Sequence, residues 1–316
     1  MPAIDGDFLD GLPSTTRSDF EDAKLRRFPG CGSEIQWLEF LGYGREGLVF
    51  KVTFGHGDPV ALKVFWRAKR PAQPVPRSTE PMILDWPFED ECITAALLDQ
   101  MKRAMADDDA KAAAGATRTI ATVPGPRTVT EAIRNICAFS DEARQSPRTG
   151  AKHSHWVYPP PFPPVPNCYG WTTIHRDQIP FINPPVRSVV DDVDWHWAIV
   201  YELVPAGAQD ISIGQLHLDF FYAVGLALGP YKCDNWHGGR LVDLNDIRTP
   251  YGIGWNRSLV RPRVANKWFL TLDCTQPYAL AYKIVEPSER ARRRKLARLD
   301  SGHKGSETGA KNNTDN

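Results

Sequence analysis

The amino-acid sequence predicts an α+β fold, on three observations. Residues 41–52 together with Val60-Ala61-Leu62-Lys63 read as strand, glycine turn, strand, tight turn and strand. Leu48, Val49, Phe50, Val52 and Phe54 are β-formers in partial alternation, and Gly55-His56-Gly57-Asp58 makes the turn. Ile93, Leu97 and Met101 recur at helical spacing within residues 91–101, as do Ile213, Leu216, Phe220, Val224 and Ala227 or Leu228 within 213–228. Residues 195–205 are the most strand-like run downstream.

The glycine turn carries the chemistry. Gly42, Gly44 and Gly47 spell G-x-G-x-x-G, a pattern shared by two unrelated phosphate sites. A dinucleotide fingerprint needs its third glycine to open a helix, whereas a strand follows Gly47 here. Glycines let the backbone approach a phosphate without a Cβ clash. Their N–H groups then face the anion while Lys63 supplies a point charge. The blander alternative is an ordinary glycine-rich hairpin with one exposed lysine.

With Val49 and Val60-Ala61-Leu62-Lys63, the stretch resembles the protein-kinase set, a G-x-G-x-x-G-x-V loop followed by a lysine on the third strand. The resemblance implies an ATP site bounded by Gly42, Gly44, Gly47, Val49, Ala61 and Lys63. It also implies that Glu91, opening the next helix, pairs with Lys63. Glu89 competes for that role, and a solvated carboxylate at a helix start is the alternative. Tyr201-Glu202-Leu203-Val204 resembles the hinge, where backbone groups from Glu202 to Val204 would hydrogen-bond an adenine.

Composition narrows the classes. The 316 residues suffice for one large domain or two modest ones, and 42% hydrophobic content with ten Trp supports a substantial core. A formal net charge of zero gives no global field towards nucleic acid or membrane. No run of eighteen apolar residues is present, so no membrane contact is expected. The first residues are acidic without an apolar run, unlike a signal peptide. The six cysteines form no C-x-x-C pair and read as reduced thiols of a nuclear or cytoplasmic protein.

On the kinase resemblance the chain divides into a flexible lead-in (1–30), a first lobe (31–205), a shortened second lobe (206–285), and a basic helix with a disordered tail (286–316). A short helix is expected near residues 20–28. Residues 104–164 read as an insertion in the first lobe, partly disordered and partly polyproline II, with a short helix within 129–144. Its tract Tyr158-Pro159-Pro160-Pro161-Phe162-Pro163-Pro164 is a candidate contact for a protein partner, or a rigid spacer. His153-x-His155 is read as a solvent-facing loop rather than a metal site. Arg290, Arg292, Arg293, Arg294, Lys295 and Arg298 form a basic run suited to nuclear import or chromatin contact, or a solvated helix face.

The segment 228–245 bears on catalysis. Lys232-x-x-Asn235 matches the K-x-x-N of a kinase catalytic loop. Leu241-Val242-Asp243-Leu244-Asn245 matches a strand running into a D-F-G-like turn, with Asn245 in the glycine place, where asparagine tolerates positive φ. Asn235 and Asp243 are therefore candidate Mg²⁺ ligands. The H-R-D triplet falls instead on Leu228-Gly229-Pro230, so the catalytic base is missing from its place. Asp234 and Asp219 lie near but out of register, and Asp234 is the candidate substitute. No A-P-E-like motif follows Asp243.

Residues 218–222, 230–232 and above all 234–243, with Asp246-Ile247, Glu91-Cys92 and Cys168-Tyr169-Gly170, are similar to a fungal kinase-like family. That family is named for a kinetochore subunit, the Fta-two type of the Sim-four complex. The resemblance covers about residues 33–102 and 165–255. It implies a protein-kinase-like two-lobed fold with a shortened C-lobe and a long N-lobe insertion, and, for the founding member, centromere attachment. The expected function is a nucleotide-binding pseudokinase that serves as scaffold or kinetochore-type subunit. An active atypical kinase passing the ATP γ-phosphate to a protein or small-molecule hydroxyl is the alternative. A structural chromatin component with a vestigial site is the third reading.

Overall fold

The structure is a computed structural model and describes residues 3–44, 46–70, 86–145, 155–180, 193–229, 232–252 and 254–269. Among them it is a mixed α+β protein built on a seven-stranded sheet, with six α-helices. In chain order the elements are β1 (Ile4–Phe8), α1 (Arg17–Glu21), β2 (Leu25–Arg27), β3 (Ile35–Tyr43), β4 (Gly47–Phe54) and β5 (Val60–Phe65). Next come α2 (Pro87–Ala113), α3 (Val129–Cys137), α4 (Asp141–Gln145), β6 (Cys168–His175), β7 (Trp195–Glu202) and α5 (Ile211–Val224). The last are β8 (Ala227–Leu228), β9 (Trp236–His237), β10 (Arg240–Leu241), β11 (Ile247–Arg248) and α6 (Ala265–Phe269).

The large sheet runs β1-β2-β6-β7-β5-β4-β3. Strands β3, β4 and β5 form an antiparallel meander, β7 pairs antiparallel with both β5 and β6, and β1 and β2 add in parallel at the far edge. Strand side chains alternate between faces. On β5 this sends Leu62 and Val64 into one buried cluster, with Phe50, Val52, Ala198 and Val200. Phe65 and, from β7, Ile199 and Tyr201 go into the other, which also holds the buried residues of α2 and α5. Lys63 sits between Leu62 and Val64, so the same alternation turns it towards α2.

Helix α2 begins where Pro87 takes the first turn, followed by Glu89 and Asp90 at the positive end of the dipole. It is buried well beyond the Leu97–Met101 stripe, through Phe88, Glu91, Cys92, Ala95 and Leu98. Helix α5 is capped by the Asp210 carboxylate, which accepts from the N–H groups of Ser212 and Ile213. It stops at Gly225, which takes a left-handed φ of 84°, two or three residues before the apolar pattern ends at Ala227 or Leu228. Ala227 and Leu228 then pair with β11 as a strand instead of extending the helix.

Two stretches differ from expectation. The sequence reads residues 1–30 as a loose lead-in with a short helix near residues 20–28; the helix present is α1 at Arg17–Glu21, and Leu25–Arg27 is a strand. Both β1 and β2 join the sheet, Phe20 and Leu25 are fully buried, and Trp171 donates to the Asp5 carbonyl (2.8 Å). The apolar residues responsible are isolated in sequence and find their partners far along the chain, so no local periodicity reports them. The sequence reads residues 104–164 as an insertion, partly disordered and partly polyproline II; residues 146–154 of it lie outside the described residues, and the remainder is part of the fold. Helix α2 runs through Ala104 to Ala113, and Ile120, Ile136 and Phe139 enter the core. Asp108 is buried because its carboxylate accepts from the Thr119 N–H (3.0 Å) and hydroxyl (2.6 Å), which ties the following loop to the helix.

The proline tract packs inwards as well. Phe162 lies edge-on to Phe220 (5.1 Å), and Pro159 and Pro163 are buried. Among the described residues no helix is long and apolar enough to cross a membrane. His153, Pro230, Tyr231 and the basic run after residue 286 lie outside the described residues.

Candidate functional site

Three sequence-distant side chains meet beneath the glycine turn. The Lys63 ammonium donates to Glu91 Oε2 (2.6 Å) and to Asp243 Oδ1 (2.8 Å), and Glu46 Oε2 stands 3.9 Å away. Oxygens of Glu46, Glu91 and Asp243 lie within 4.8 Å of one another. Glu91, not Glu89, is the helix partner of Lys63; Glu89 pairs with Arg70 instead (2.9 Å).

The charges are set by burial against neighbours. Burial pulls the Lys63 ammonium down, but Asp243, Glu91 and Glu46 outweigh it and hold its pKa above the ordinary lysine value. Burial pushes Asp243 up, yet Lys63, by charge and hydrogen bond, brings it below the usual aspartate value. Burial raises the Glu91 carboxyl to about 7 against the pull of Lys63. Glu46 is also raised, first by burial. One ammonium thus serves three carboxylates.

Four contributors escape the motif reading. Tyr201 donates its hydroxyl to Glu91 Oε1 (2.8 Å), and Asn245 donates through Nδ2 to Glu91 Oε2. Asn245 lies in the 3₁₀ turn Leu244–Asp246 and is buried, so its role is this side-chain contact and not the positive φ expected of a glycine substitute. Asp246 accepts from Lys232 (2.6 Å) and Asn235 (2.7 Å), with its pKa raised by burial and then by Asp243. Glu46 is the fourth. The D-F-G-like spelling marks the turn that carries Asn245 and Asp246, but not which way their side chains go.

Asn235 also donates to Asp243 Oδ2 (3.2 Å), so its amide nitrogen bridges Asp243 and Asp246. The short β9–β10 hairpin makes this possible. It turns on Gly238 and Gly239, with φ of 55° and 80°, and the Val242 N–H donates to the Asn235 carbonyl (2.8 Å), which sets Asn235 beside Asp243. Asp234 is exposed on the neighbouring 3₁₀ turn and lies outside this hydrogen-bonded group. Leu228 is buried in β8 and Gly229 donates to the Asp246 carbonyl (2.8 Å), so neither offers a base.

The glycines divide into two kinds. A Cβ at Gly47 would meet the Val64 carbonyl at 2.2 Å, so this glycine serves strand packing. At Gly42 and Gly44 it would meet nothing within 4 Å. Val49 lies opposite Lys63, and Ala61 opposite Tyr201, in the ladders. At the end of β7 the Glu202 N–H donates to the Asn167 carbonyl (2.8 Å), and the Val204 carbonyl faces His237 Nδ1 (3.2 Å).

As a donor set, Asp243, Glu46 and Glu91 are hard oxygen ligands suited to Mg²⁺. Asn235 would have to turn its amide to offer Oδ1. No known family model matches the chain, and no curated protein matches it in sequence.

Proposed function

We propose that the chain is a protein-kinase-like nucleotide-binding module that works as a scaffold rather than as an efficient phosphotransferase. The observation that carries this reading is the Lys63 contact to both Glu91 and Asp243, a lysine on the third strand of a meander paired with the next helix and with a D-F-G-like aspartate. Lys63 and the open side of Gly42 and Gly44 would face the phosphates of ATP. Asp243, with Asn235 turned, would hold a Mg²⁺ ion, which supplies charge neutralisation of the phosphates. Val49 and Ala61 would flank the base, and its edge would meet the backbone from Glu202 to Val204 through groups other than the Glu202 N–H, held by Asn167, and the Val204 carbonyl, held by His237.

Weak transfer follows from the missing base. With Leu228-Gly229-Pro230 in the catalytic-loop position and Asp234 exposed, no carboxylate in register takes the acceptor proton. General-base assistance is commonly worth ~10²–10⁴ in rate. Assignment to the Fta-two-type family, with a nuclear or cytoplasmic scaffold role at the kinetochore, rests on the sequence resemblance centred on residues 234–243.

A thermal-shift titration with Mg·ATP tests the reading. The wild type gains a saturable rise in melting temperature that Lys63→Ala lacks. No shift at millimolar nucleotide would contradict the proposal. Phosphate transfer abolished by Asp243→Ala would replace the scaffold reading with the active enzyme.

A further inference from the structure

The Glu46 carboxylate joins the Lys63 cluster, yet the nucleotide and metal contacts assigned above give it no role. Its backbone is pinned, because the Trp66 N–H donates to the Glu46 carbonyl (2.9 Å) and the Trp66 indole donates to the Gly44 carbonyl (3.1 Å). The turn is also closed on itself: the Gly44 N–H donates to the Gly47 carbonyl (2.9 Å) and so is already satisfied. The Glu46 side chain is only 16% exposed and ends 3.9 Å from Lys63 Nζ.

An ammonium has three N–H donors. Two of those on Lys63 are taken by Glu91 and Asp243. A phosphate approaching the third meets the Glu46 carboxylate beside the same nitrogen. Three carboxylates crowd the one ammonium of Lys63, and this surplus of acidic groups disfavours a further anion in a partly desolvated site.

We infer that Glu46 is a built-in anion that competes with nucleotide phosphates for Lys63 and keeps the cleft closed to nucleotide that carries no metal. The inference rests on the nucleotide-binding reading above. A metal-charged nucleotide enters because the cation offsets the surplus on Asp243 and Glu46, whereas the free polyanion has nothing to offset it. Glu46 is then a selectivity residue and no part of phosphate transfer.

Isothermal titration of the full chain with ATP, in chelator and in excess Mg²⁺, tests this for wild type, Glu46→Gln and Glu46→Ala. Both variants are expected to bind metal-free ATP at least tenfold more tightly than wild type, narrowing the gap between free and Mg-bound nucleotide. If the wild type binds Mg·ATP and neither variant gains affinity for free ATP, the inference is overturned while the nucleotide reading stands. If none of the three proteins binds nucleotide in either buffer, both fall.

Discussion

Lys63 and Glu91 are almost completely buried, and each would be severely destabilising without the other. Removing one partner of such a pair typically costs about 3–5 kcal/mol, because the charge left behind has no solvent. His217 is the opposite case. It is fully buried between Phe221 and Trp236 (ring centroids 5.7 and 5.5 Å), and neither ring nitrogen has a hydrogen-bond partner among the described residues. Burial, with Arg240 nearby, pulls its pKa down to about 3. Below the ordinary histidine value of ~6.5 the unfolded chain takes up a proton that the folded chain refuses, so stability falls as pH drops towards the folded value. This residue contributes a loss of ~1.4 kcal/mol per pH unit in that window. Urea denaturation at pH 7 and pH 5 should therefore show the wild type losing about 2 kcal/mol more than His217→Phe. Equal losses would contradict the assignment.

Residues differ in how far the sequence betrays them. Lys63, Glu91 and Asp243 are legible because strand, helix and turn spellings place each at a defined point. Tyr201, Asn245, Asp246 and Glu46 are not, since their roles are side-chain contacts between elements with no fixed sequence spacing. Asp234 shows the converse: a carboxylate close in sequence to the site projects into solvent.

At the scale of elements, periodicity finds the meander, β7 and the two main helices. It misplaces ends, because Gly225 stops α5 before its apolar pattern does and α2 continues through a run of charges. It fails for residues 1–30, whose buried side chains are too sparse to show a period. Phe20 makes the difference measurable. It has no exposed surface, so Phe20→Ala should cost about 3–5 kcal/mol in urea denaturation, as for a central core aromatic. A loss below about 1 kcal/mol, typical of surface sites, would mean that α1 does not dock as described. The acidic run at 107–109 misleads for a related reason. Composition alone suggests disorder, but Asp108 is an internal hydrogen-bond acceptor that organises the loop after α2.

Across the whole molecule, the central strands of the sheet, buried on both faces, present Lys63 to one helix and to one turn from the C-terminal part of the chain. Everything proposed about function depends on that meeting point holding a metal–nucleotide complex. The most direct measurement is a crystal soaked with Mn²⁺ and a non-hydrolysable ATP analogue, read by anomalous scattering at the manganese edge. The account predicts a manganese peak on Asp243 with phosphate oxygens within hydrogen-bonding reach of Lys63. Nucleotide bound elsewhere, or a Lys63–Asp243 pair left intact with no density beside it, would contradict it.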